Sequence, residues 1–245
     1  MKNLKWTIPV GAIVLCASVF LTERLSMNHN ENSLRYLYRP AKVQAGVKAP
    51  VILLLHGVGS NEADMFNLSE VIDPRFAVYS LRGPLTLAQD SYAWFHVNFT
   101  AQGPQHNRDE AESSRVILKN FIKNLSHLNP EIDPSQVFLL GFSQGTIMSL
   151  SLGFTEPELV KGVVAISGRT LQEVAAQIKG RSYSRTPQVL LVHGVEDGKL
   201  PYSFAQNTES VLKDAGFKYQ FKSYPAGHQI TPAMLQDIRE WLSQK

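Results

Sequence analysis

Residues 141–145 read Gly-Phe-Ser-Gln-Gly, a pattern whose residue types and spacing suit a nucleophilic serine. An apolar run over residues 137–140 precedes the pattern, and a second apolar run follows it. A buried strand, a sharp turn and a buried helix form the context in which such a turn raises a serine hydroxyl above the end of a sheet. The flanking glycines let strand and helix approach closely. The pattern predicts nucleophilic catalysis by Ser143, with an ordinary glycine-bracketed strand–helix turn as the alternative.

A serine hydroxyl needs an imidazole to take its proton, and the imidazole needs a carboxylate to orient it. Asp197 and His228 each follow a predicted strand, and the carboxyl ends of parallel strands are where such sheets bind ligands. The chain order Ser, Asp, His is that of hydrolases with a strand–turn–helix nucleophile. We therefore predict a triad of Ser143, Asp197 and His228. Glu196 is the competing carboxylate, and an ordinary turn or loop is the alternative at positions 197 and 228.

An oxyanion hole must be built from amides that are in place before the substrate arrives. The amide of Gln144, directly after the nucleophile, is predicted to supply one donor. The second is predicted at Val58, in a Gly-Val-Gly loop that follows the apolar run 51–55. His56 and His193 each precede a glycine at the end of an apolar run. We expect both to be structural histidines, hydrogen-bonded near the strand ends.

The bulk composition narrows the functional classes. The chain has 245 residues, 44% of them hydrophobic, and a formal net charge of +3 with scattered basic residues, which does not suggest a nucleic-acid surface. Cys16 is the single cysteine, which excludes an internal disulfide and a thiolate metal cluster. The seven histidines are dispersed, without metal-ligand spacing. We expect neither a metal nor a cofactor, and a small-molecule substrate.

The first 26 residues differ in character from the rest. Lys2 and Lys5 precede an apolar run over residues 6–21, as in a signal peptide. As a helix, that run would span about 24 Å, which is short of the ~30 Å hydrocarbon core of a membrane. We predict that residues 1–26 are a signal peptide or membrane anchor, so that the protein is exported or membrane-associated. The alternative is that Met27 is the true start and the protein is cytoplasmic.

Strands and helices alternate along the remainder, which predicts one α/β domain over residues 27–245, with a mostly parallel sheet covered by helices on both faces. The predicted strands cover residues 34–38, 51–55, 76–81, 137–140, 160–166, 189–192 and 219–224. The predicted helices cover residues 62–71, 108–128, 144–156, 171–178 and 202–215, with a last one after Thr231.

Residues 84–105 show no clear periodicity but are rich in aromatic side chains, which indicates a loop that lines the substrate. His96, within this segment, is the one remaining histidine with a claim as a pocket residue. The late strands are separated by no long insertion that could form a large lid. We therefore expect an open site suited to short or medium acyl chains.

Several short motifs together resemble the phospholipase/carboxylesterase group of the α/β-hydrolase family, to which acyl-protein thioesterases belong. The motifs are Leu-His-Gly-Val-Gly-Ser-Asn at 55–61, Arg-Gly-Pro at 82–84, Trp-Phe at 94–95, Gly-Phe-Ser-Gln-Gly at 141–145, His193-Gly194 with Asp197 and Pro201, and Gly227-His228. The resemblance runs from about Leu34 to the C-terminus. Val58 stands where that family usually has leucine, and the apolar N-terminus is not part of its usual soluble form.

The resemblance implies a cofactor-free serine hydrolase with the α/β-hydrolase fold, acting on carboxylic esters or thioesters. It also implies that Arg82, Trp94 and Phe95 border the acyl site. We predict a carboxylesterase that forms an acyl-enzyme on Ser143. An acyl thioesterase or a lysophospholipase would use the same residues. A serine peptidase on this fold and a non-catalytic binding module are the more remote alternatives.

Overall fold

The computed structural model describes residues 34–100 and 103–245. The signal-peptide or anchor prediction for residues 1–26 lies outside them. The strands are β1 Tyr36–Arg39, β2 Ala49–Leu55, β3 Ala77–Leu81, β4 Leu85–Ala88, β5 Ser91–Ala93, β6 Val97–Thr100, β7 Gly103–His106, β8 Ile132–Phe142, β9 Gly162–Ile166, β10 Gln188–Gly194 and β11 Tyr219–Tyr224. The α-helices are α1 Glu62–Phe66, α2 Arg108–Leu128, α3 Gln144–Thr155, α4 Gln172–Ile178, α5 Ser203–Asp214 and α6 Pro232–Ser243.

Seven strands form the central sheet, in the order β1-β3-β2-β8-β9-β10-β11. Strand β1 runs antiparallel to β3, whereas the other neighbouring pairs in the sheet are parallel. The strand order reverses around β2 and β8, so the loops after these strands meet at the carboxyl edge of the sheet. This edge is where the predicted nucleophile and the predicted oxyanion loop lie.

Strand β2 shows why the sheet is covered on both faces. Its run of five consecutive aliphatic residues, 51–55, is fully buried. Val51, Leu53 and Leu55 contribute to one core, which includes apolar side chains of α2, α3, α4 and α5. Ile52 and Leu54 point to the opposite core, which α1 and α6 close. A continuous apolar run is therefore what a parallel strand between two helical layers requires, and the predicted fold class is confirmed.

Two predicted segments differ in detail. The region 84–105 is not an irregular loop but contains two short antiparallel hairpins, β4–β5 and β6–β7. Strands of three or four residues are too short to reveal a period of two in the sequence. The predicted helix 62–71 ends at Phe66 and continues as a single 3₁₀ turn over Asn67–Glu70. Within the described residues, no helix is both long and apolar enough to cross a membrane.

Candidate active site

Ser143 occupies a strained turn between β8 and α3. Its backbone angles are φ 54° and ψ −114°. Residues other than glycine rarely adopt this conformation, which costs about 1–3 kcal/mol. A Cβ atom on Gly141 would lie 2.3 Å from the backbone of Gly145, and one on Gly145 would lie 2.0 Å from the carbonyl oxygen of Leu55. Only glycine therefore fits at either position, and the close approach of β8, β2 and α3 presents the serine at the sheet edge.

The predicted triad residues lie within hydrogen-bonding distance of one another. His228 Nε2 is 2.9 Å from Ser143 Oγ, and His228 Nδ1 is 2.7 Å from Asp197 Oδ2. Since Nδ1–H donates to the carboxylate, Nε2 is free to accept the serine proton. The three side chains come from the ends of β8, β10 and β11, so the sheet brings together residues that are up to 85 positions apart.

Asp197 is fixed by the turn that contains it. Its Oδ1 atom accepts hydrogen bonds from the amides of Lys199, at 2.9 Å, and Leu200, at 2.8 Å. The carboxylate is buried, so Oδ2 faces His228 with its orientation set. Glu196, the competing carboxylate, is exposed to solvent. The geometry places Asp197 and not Glu196 beside the imidazole.

The amides of Val58 and Gln144 are available as anion donors. Among the described residues, neither amide has a hydrogen-bond acceptor. The Val58 loop is held by a bond from the Ser60 amide to Gly57 O at 3.3 Å and by one from the Gly59 amide to Tyr92 O at 2.8 Å. A Cβ atom on Gly57 would lie 3.3 Å from Ser143 Cβ, so the loop packs directly against the side chain of Ser143. Donors fixed in advance and without internal acceptors are what an oxyanion hole requires.

The side chain of Gln144 also forms two hydrogen bonds that were not predicted from the sequence. Its Oε1 accepts from the Trp94 amide at 2.8 Å, and its Nε2 donates to the Phe95 carbonyl at 2.7 Å. The side chain is buried, so both bonds are protected from water. They fasten the 94–95 segment to the nucleophile turn. A polar residue directly after the nucleophile, in an otherwise apolar stretch, was the available signal.

A cavity of about 730 Å³ opens over Ser143 and His228. Much of its wall is apolar, formed by Met65, Phe95, Val97, Phe142, Ile147 and Ile230. Of Arg82, Trp94 and Phe95, only Phe95 lines it, together with Val97 and Pro104 from the segment 84–105 that was predicted to line the substrate. Apolar walls with a few convergent polar groups are typical of small-molecule sites. The charged side chains in the wall are Asp64, Arg169 and Lys199, none of which the sequence analysis identified.

Arg82 does not line the cavity, in contrast to the expected acyl-site contact. Its Nε and Nη2 atoms donate to the Glu62 carboxylate at 2.7 and 2.5 Å, and Nη1 donates to Tyr92 Oη at 2.8 Å. The guanidinium also stacks on the Tyr92 ring, 4.2 Å from the ring centre. With its donors committed to these two partners, Arg82 joins α1 to the β5 hairpin and has a positioning role.

Trp94 also departs from the expected substrate contact. It is fully buried and absent from the cavity wall. Its indole N–H donates to the carbonyl of His56 at 3.0 Å, which links it to the strand end before the oxyanion loop. His96, proposed as a pocket residue, is exposed and paired with Glu110, so that interpretation is wrong.

His56 and His193 are confirmed as buried, hydrogen-bonded residues at strand ends. His56 Nδ1 donates to Gly57 O at 2.7 Å, and Nε2 accepts from the Gly83 amide at 2.9 Å. Nε2 of His193 donates to Leu200 O at 2.8 Å and lies 3.4 Å from Asp197 Oδ2. Burial lowers the pKa of both imidazoles below the usual value, which favours their neutral forms. In the part of the chain that the structure describes, no group of histidine, cysteine and acidic residues could hold a metal ion.

The fold and the nucleophile turn together define the class of protein. A mostly parallel sheet between helices, with a serine at a strained strand–helix turn, is an α/β-hydrolase. A family model described as Phospholipase/Carboxylesterase matches residues 41–245. The chain belongs to this family.

Relatives and solved structures agree with this membership. The chain is similar to a probable carboxylesterase SOBER1-like of Arabidopsis thaliana, with 25% identity over all of this chain and 96% of the relative. It is 31% identical to acyl-protein thioesterase 1 of Emericella nidulans over 56% of this chain and 59% of the relative. The crystal structure of esterase PE8 matches with a TM-score of 0.74 and 25% identity, covering 86% of this chain and 99% of that one. The protein is a hydrolase of the carboxylesterase and acyl-protein thioesterase family, acting on carboxylic esters.

Proposed function

We propose that the protein is a serine carboxylesterase that hydrolyses esters of short- or medium-chain carboxylic acids through an acyl-enzyme on Ser143. The observation that carries this proposal is the pair of hydrogen bonds that joins Ser143 Oγ to His228 Nε2, at 2.9 Å, and His228 Nδ1 to Asp197 Oδ2, at 2.7 Å. An activated nucleophile needs a base within hydrogen-bond reach and a third group that orients the base. The distances from Ser143 to His228 and from His228 to Asp197 support both requirements.

The proposed reaction has two steps. His228 takes the Ser143 proton as the hydroxyl attacks the ester carbonyl, and the amides of Val58 and Gln144 stabilise the tetrahedral oxyanion. The protonated imidazole then gives its proton to the departing alcohol, which leaves the acyl group on Ser143. Water attacks this acyl-enzyme as His228 takes a proton from it, and the carboxylic acid is released with the serine restored.

The volume and lining of the cavity support small acyl groups. A space of about 730 Å³ lies within the range of pockets that enclose drug-sized ligands. The apolar wall provides contacts for a hydrocarbon chain. The site therefore suits an acyl chain of modest length together with its leaving group.

Thioester hydrolysis is the second candidate, since the relative from Emericella nidulans is named an acyl-protein thioesterase. Thioesters and lysophospholipids would be attacked by the same nucleophile through the same oxyanion donors. Initial rates on an ester, a thioester and a lysophospholipid with the same acyl chain would rank them. A kcat/KM at least tenfold higher for the thioester or the lysophospholipid would replace the carboxylesterase assignment.

Covalent labelling of the full-length protein with a serine-directed fluorophosphonate tests the proposal. We expect one adduct, which peptide mapping places on Ser143, and loss of labelling and of ester hydrolysis in Ser143→Ala. Ser60 is the other serine of the cavity wall, so Ser60→Ala is the matched control and should keep the label. Absence of an adduct on folded protein would favour the non-catalytic binding module, and an adduct elsewhere would reassign the nucleophile.

We further propose that residues 1–26 direct export or membrane attachment, on the basis of the basic start and the apolar run in the sequence. Fractionation of cells that express the full chain, with mass analysis of the N-terminus, is the test. Recovery in the exported or membrane fraction would support the proposal. Soluble cytoplasmic protein that begins at Met27 would contradict it.

A further inference from the structure

Arg169 enters the active-site cavity from the loop that follows β9. Gly168, the residue before it, packs on the nucleophile turn: a Cβ atom there would lie 2.3 Å from Thr146 Cγ2 and 3.0 Å from Ser143 O. Substitution of that glycine would force the loop away. The loop is therefore held against Ser143, and Arg169 is held in the wall of the same cavity as the nucleophile.

The guanidinium of Arg169 forms no ion pair in the described part of the chain. No carboxylate there lies within 4 Å of its nitrogens, and its Nε atom is buried without a hydrogen-bond partner. Nη2 donates to Pro104 O at 3.2 Å, and the ring of Phe204 lies 5.1 Å from the guanidinium carbon. Glu173 acts on Arg169 through its charge and makes no hydrogen bond to it: its Oε1 accepts from His106 Nε2 at 2.5 Å, and its Oε2 is buried without a hydrogen-bond partner.

A partly buried guanidinium without an ion pair is energetically unfavourable in the protein without a ligand. A charged group taken out of water loses hydration free energy, which an ion pair or hydrogen bonds must offset. Burial lowers the pKa of Arg169, whereas the charge of Glu173 raises it, but an arginine stays protonated under physiological conditions. A cation in the wall of a binding cavity, with unused donors, is satisfied when an anion enters the cavity.

We propose that Arg169 is a specificity residue that binds a carboxylate carried by the ester substrate. This assignment rests on the proposed function of the Ser143 site. The substrate class is an ester with one free carboxylate, either a monoester of a dicarboxylic acid or an acylated hydroxy acid. The planar fork of a guanidinium matches a carboxylate with two parallel hydrogen bonds, and these charge-assisted bonds are among the stronger ones in proteins.

The charge of the cavity wall matches a monoanion. Arg169 and Lys199 are positive and Asp64 is negative, and the remaining titratable side chain of the wall is the proposed catalytic base, His228. Asp64 already accepts a hydrogen bond from Ser60 Oγ at 2.6 Å. One net positive charge remains among the side chains of the wall, which favours a substrate that carries a carboxylate; Glu173 beside Arg169 and Asp197 beside His228 are not part of the wall.

Two substrate pairs separate the role of charge from that of size. Monoethyl adipate and ethyl hexanoate differ in a carboxylate or a methyl at the end of the same acyl chain. 4-Acetoxybutanoate and butyl acetate differ in the same way on the alcohol side. For the full-length wild-type protein, kcat/KM for the charged ester should exceed that for its neutral partner in at least one pair, and that pair identifies the side that meets Arg169.

The variant Arg169→Gln should lower the charged-to-neutral ratio of kcat/KM by about tenfold or more, the effect of losing a hydrogen-bonded charge pair. Arg169→Lys keeps the charge without the fork and should give an intermediate ratio. Arg39→Gln is the matched control, because Arg39 is also half-buried, donates to carbonyl oxygens and has a buried Nε without a partner, but lies outside the cavity. It should leave the ratio unchanged.

A charged-to-neutral ratio that Arg169→Gln leaves unchanged in both pairs, with thermal unfolding like that of the wild type, would overturn the assignment. Equal loss in Arg39→Gln would also overturn it, since the effect would then be structural. Hydrolysis of the neutral esters by the wild type keeps the proposed function in place under either result. Failure of the wild type on all four esters, together with no phosphonate adduct, would instead overturn the proposed function and this assignment with it.

Discussion

Arg82 and Arg169 both follow strands of the central sheet at its carboxyl edge, yet their surroundings differ. Arg82 donates hydrogen bonds to Glu62 and Tyr92 and does not line the cavity. Arg169 lines the cavity, has no carboxylate partner among the described residues and keeps a buried donor unused. The role of a cationic side chain near an active site therefore depends on whether its hydrogen-bond donors already have partners within the protein. Committed donors indicate support of the site, and free donors indicate recognition.

One oxygen of Asp197 accepts from backbone amides and the other faces His228, so we expect Asp197→Asn to cause a large loss of activity. The Asn oxygen would keep the bonds from the amides of Lys199 and Leu200, which leaves its NH₂ group facing His228. His228 would then carry its proton on Nε2 and could not accept one from Ser143. We expect kcat to fall about 10⁴-fold with little change in fold, as measured by ester hydrolysis and circular dichroism.

Glu196→Gln is the control for that experiment, because Glu196 is the adjacent but exposed carboxylate. Its kcat should stay within about twofold of the wild type, as for surface substitutions in general. A larger loss for Glu196→Gln than for Asp197→Asn would reverse the assignment of the acid.

Substitution of Arg82 and substitution of Arg169 should lower the free energy of unfolding by different amounts. Arg82→Gln leaves the largely buried Glu62 carboxylate without its partner, so we expect a loss of about 2–3 kcal/mol in the free energy of unfolding. Arg169→Gln removes a cation that forms no ion pair in the described residues and should cost less than about 1 kcal/mol. Denaturant unfolding of both variants measures the contrast.

Arg75→Gln gives the scale for an exposed pair, since its side chain is 48% exposed beside Asp73; it should cost at most about 1 kcal/mol. A double variant, Arg82→Gln with Glu62→Gln, should recover part of the stability because the unpaired carboxylate is removed. Should Arg82→Gln instead keep full stability and change the charged-to-neutral ester ratio, the contrast between the two arginines would be wrong.

The sequence reveals features that are local along the chain. The uninterrupted apolar run of β2 and the glycines around Ser143 encode burial on two faces and the sharp turn, so the parallel sheet between helices and the candidate nucleophile were predictable. What a side chain faces depends on distant partners: the Arg82 guanidinium donates to Glu62, 20 positions away, and the Trp94 indole donates to the carbonyl of His56, 38 positions away. No local pattern carries that information, so the expected roles of Arg82 and Trp94 differed from the observed ones.

The smallest expected effect concerns His56, whose imidazole contacts backbone groups, in contrast to His228, whose imidazole contacts the side chains of Ser143 and Asp197. Both nitrogens of His56 are used by the backbone, and burial lowers the pKa of His56 below its usual value. The unfolded chain therefore binds a proton near pH 6.5 that the folded chain binds only at lower pH. The stability that His56 contributes is full above about pH 6.5 and declines as the pH falls below it.

Chemical denaturation at pH 7 and 5.5 measures that decline. His56→Gln loses backbone hydrogen bonds and is less stable at both pH values, but the difference in stability between the two pH values should be smaller than in the wild type, because the imidazole that takes up the proton is gone. His127→Gln, at an exposed position of α2, should leave the difference as in the wild type. An unchanged difference in His56→Gln would mean that His56 binds a proton as readily in the folded protein as in the unfolded chain, and that its bond from the Gly83 amide is not maintained in solution.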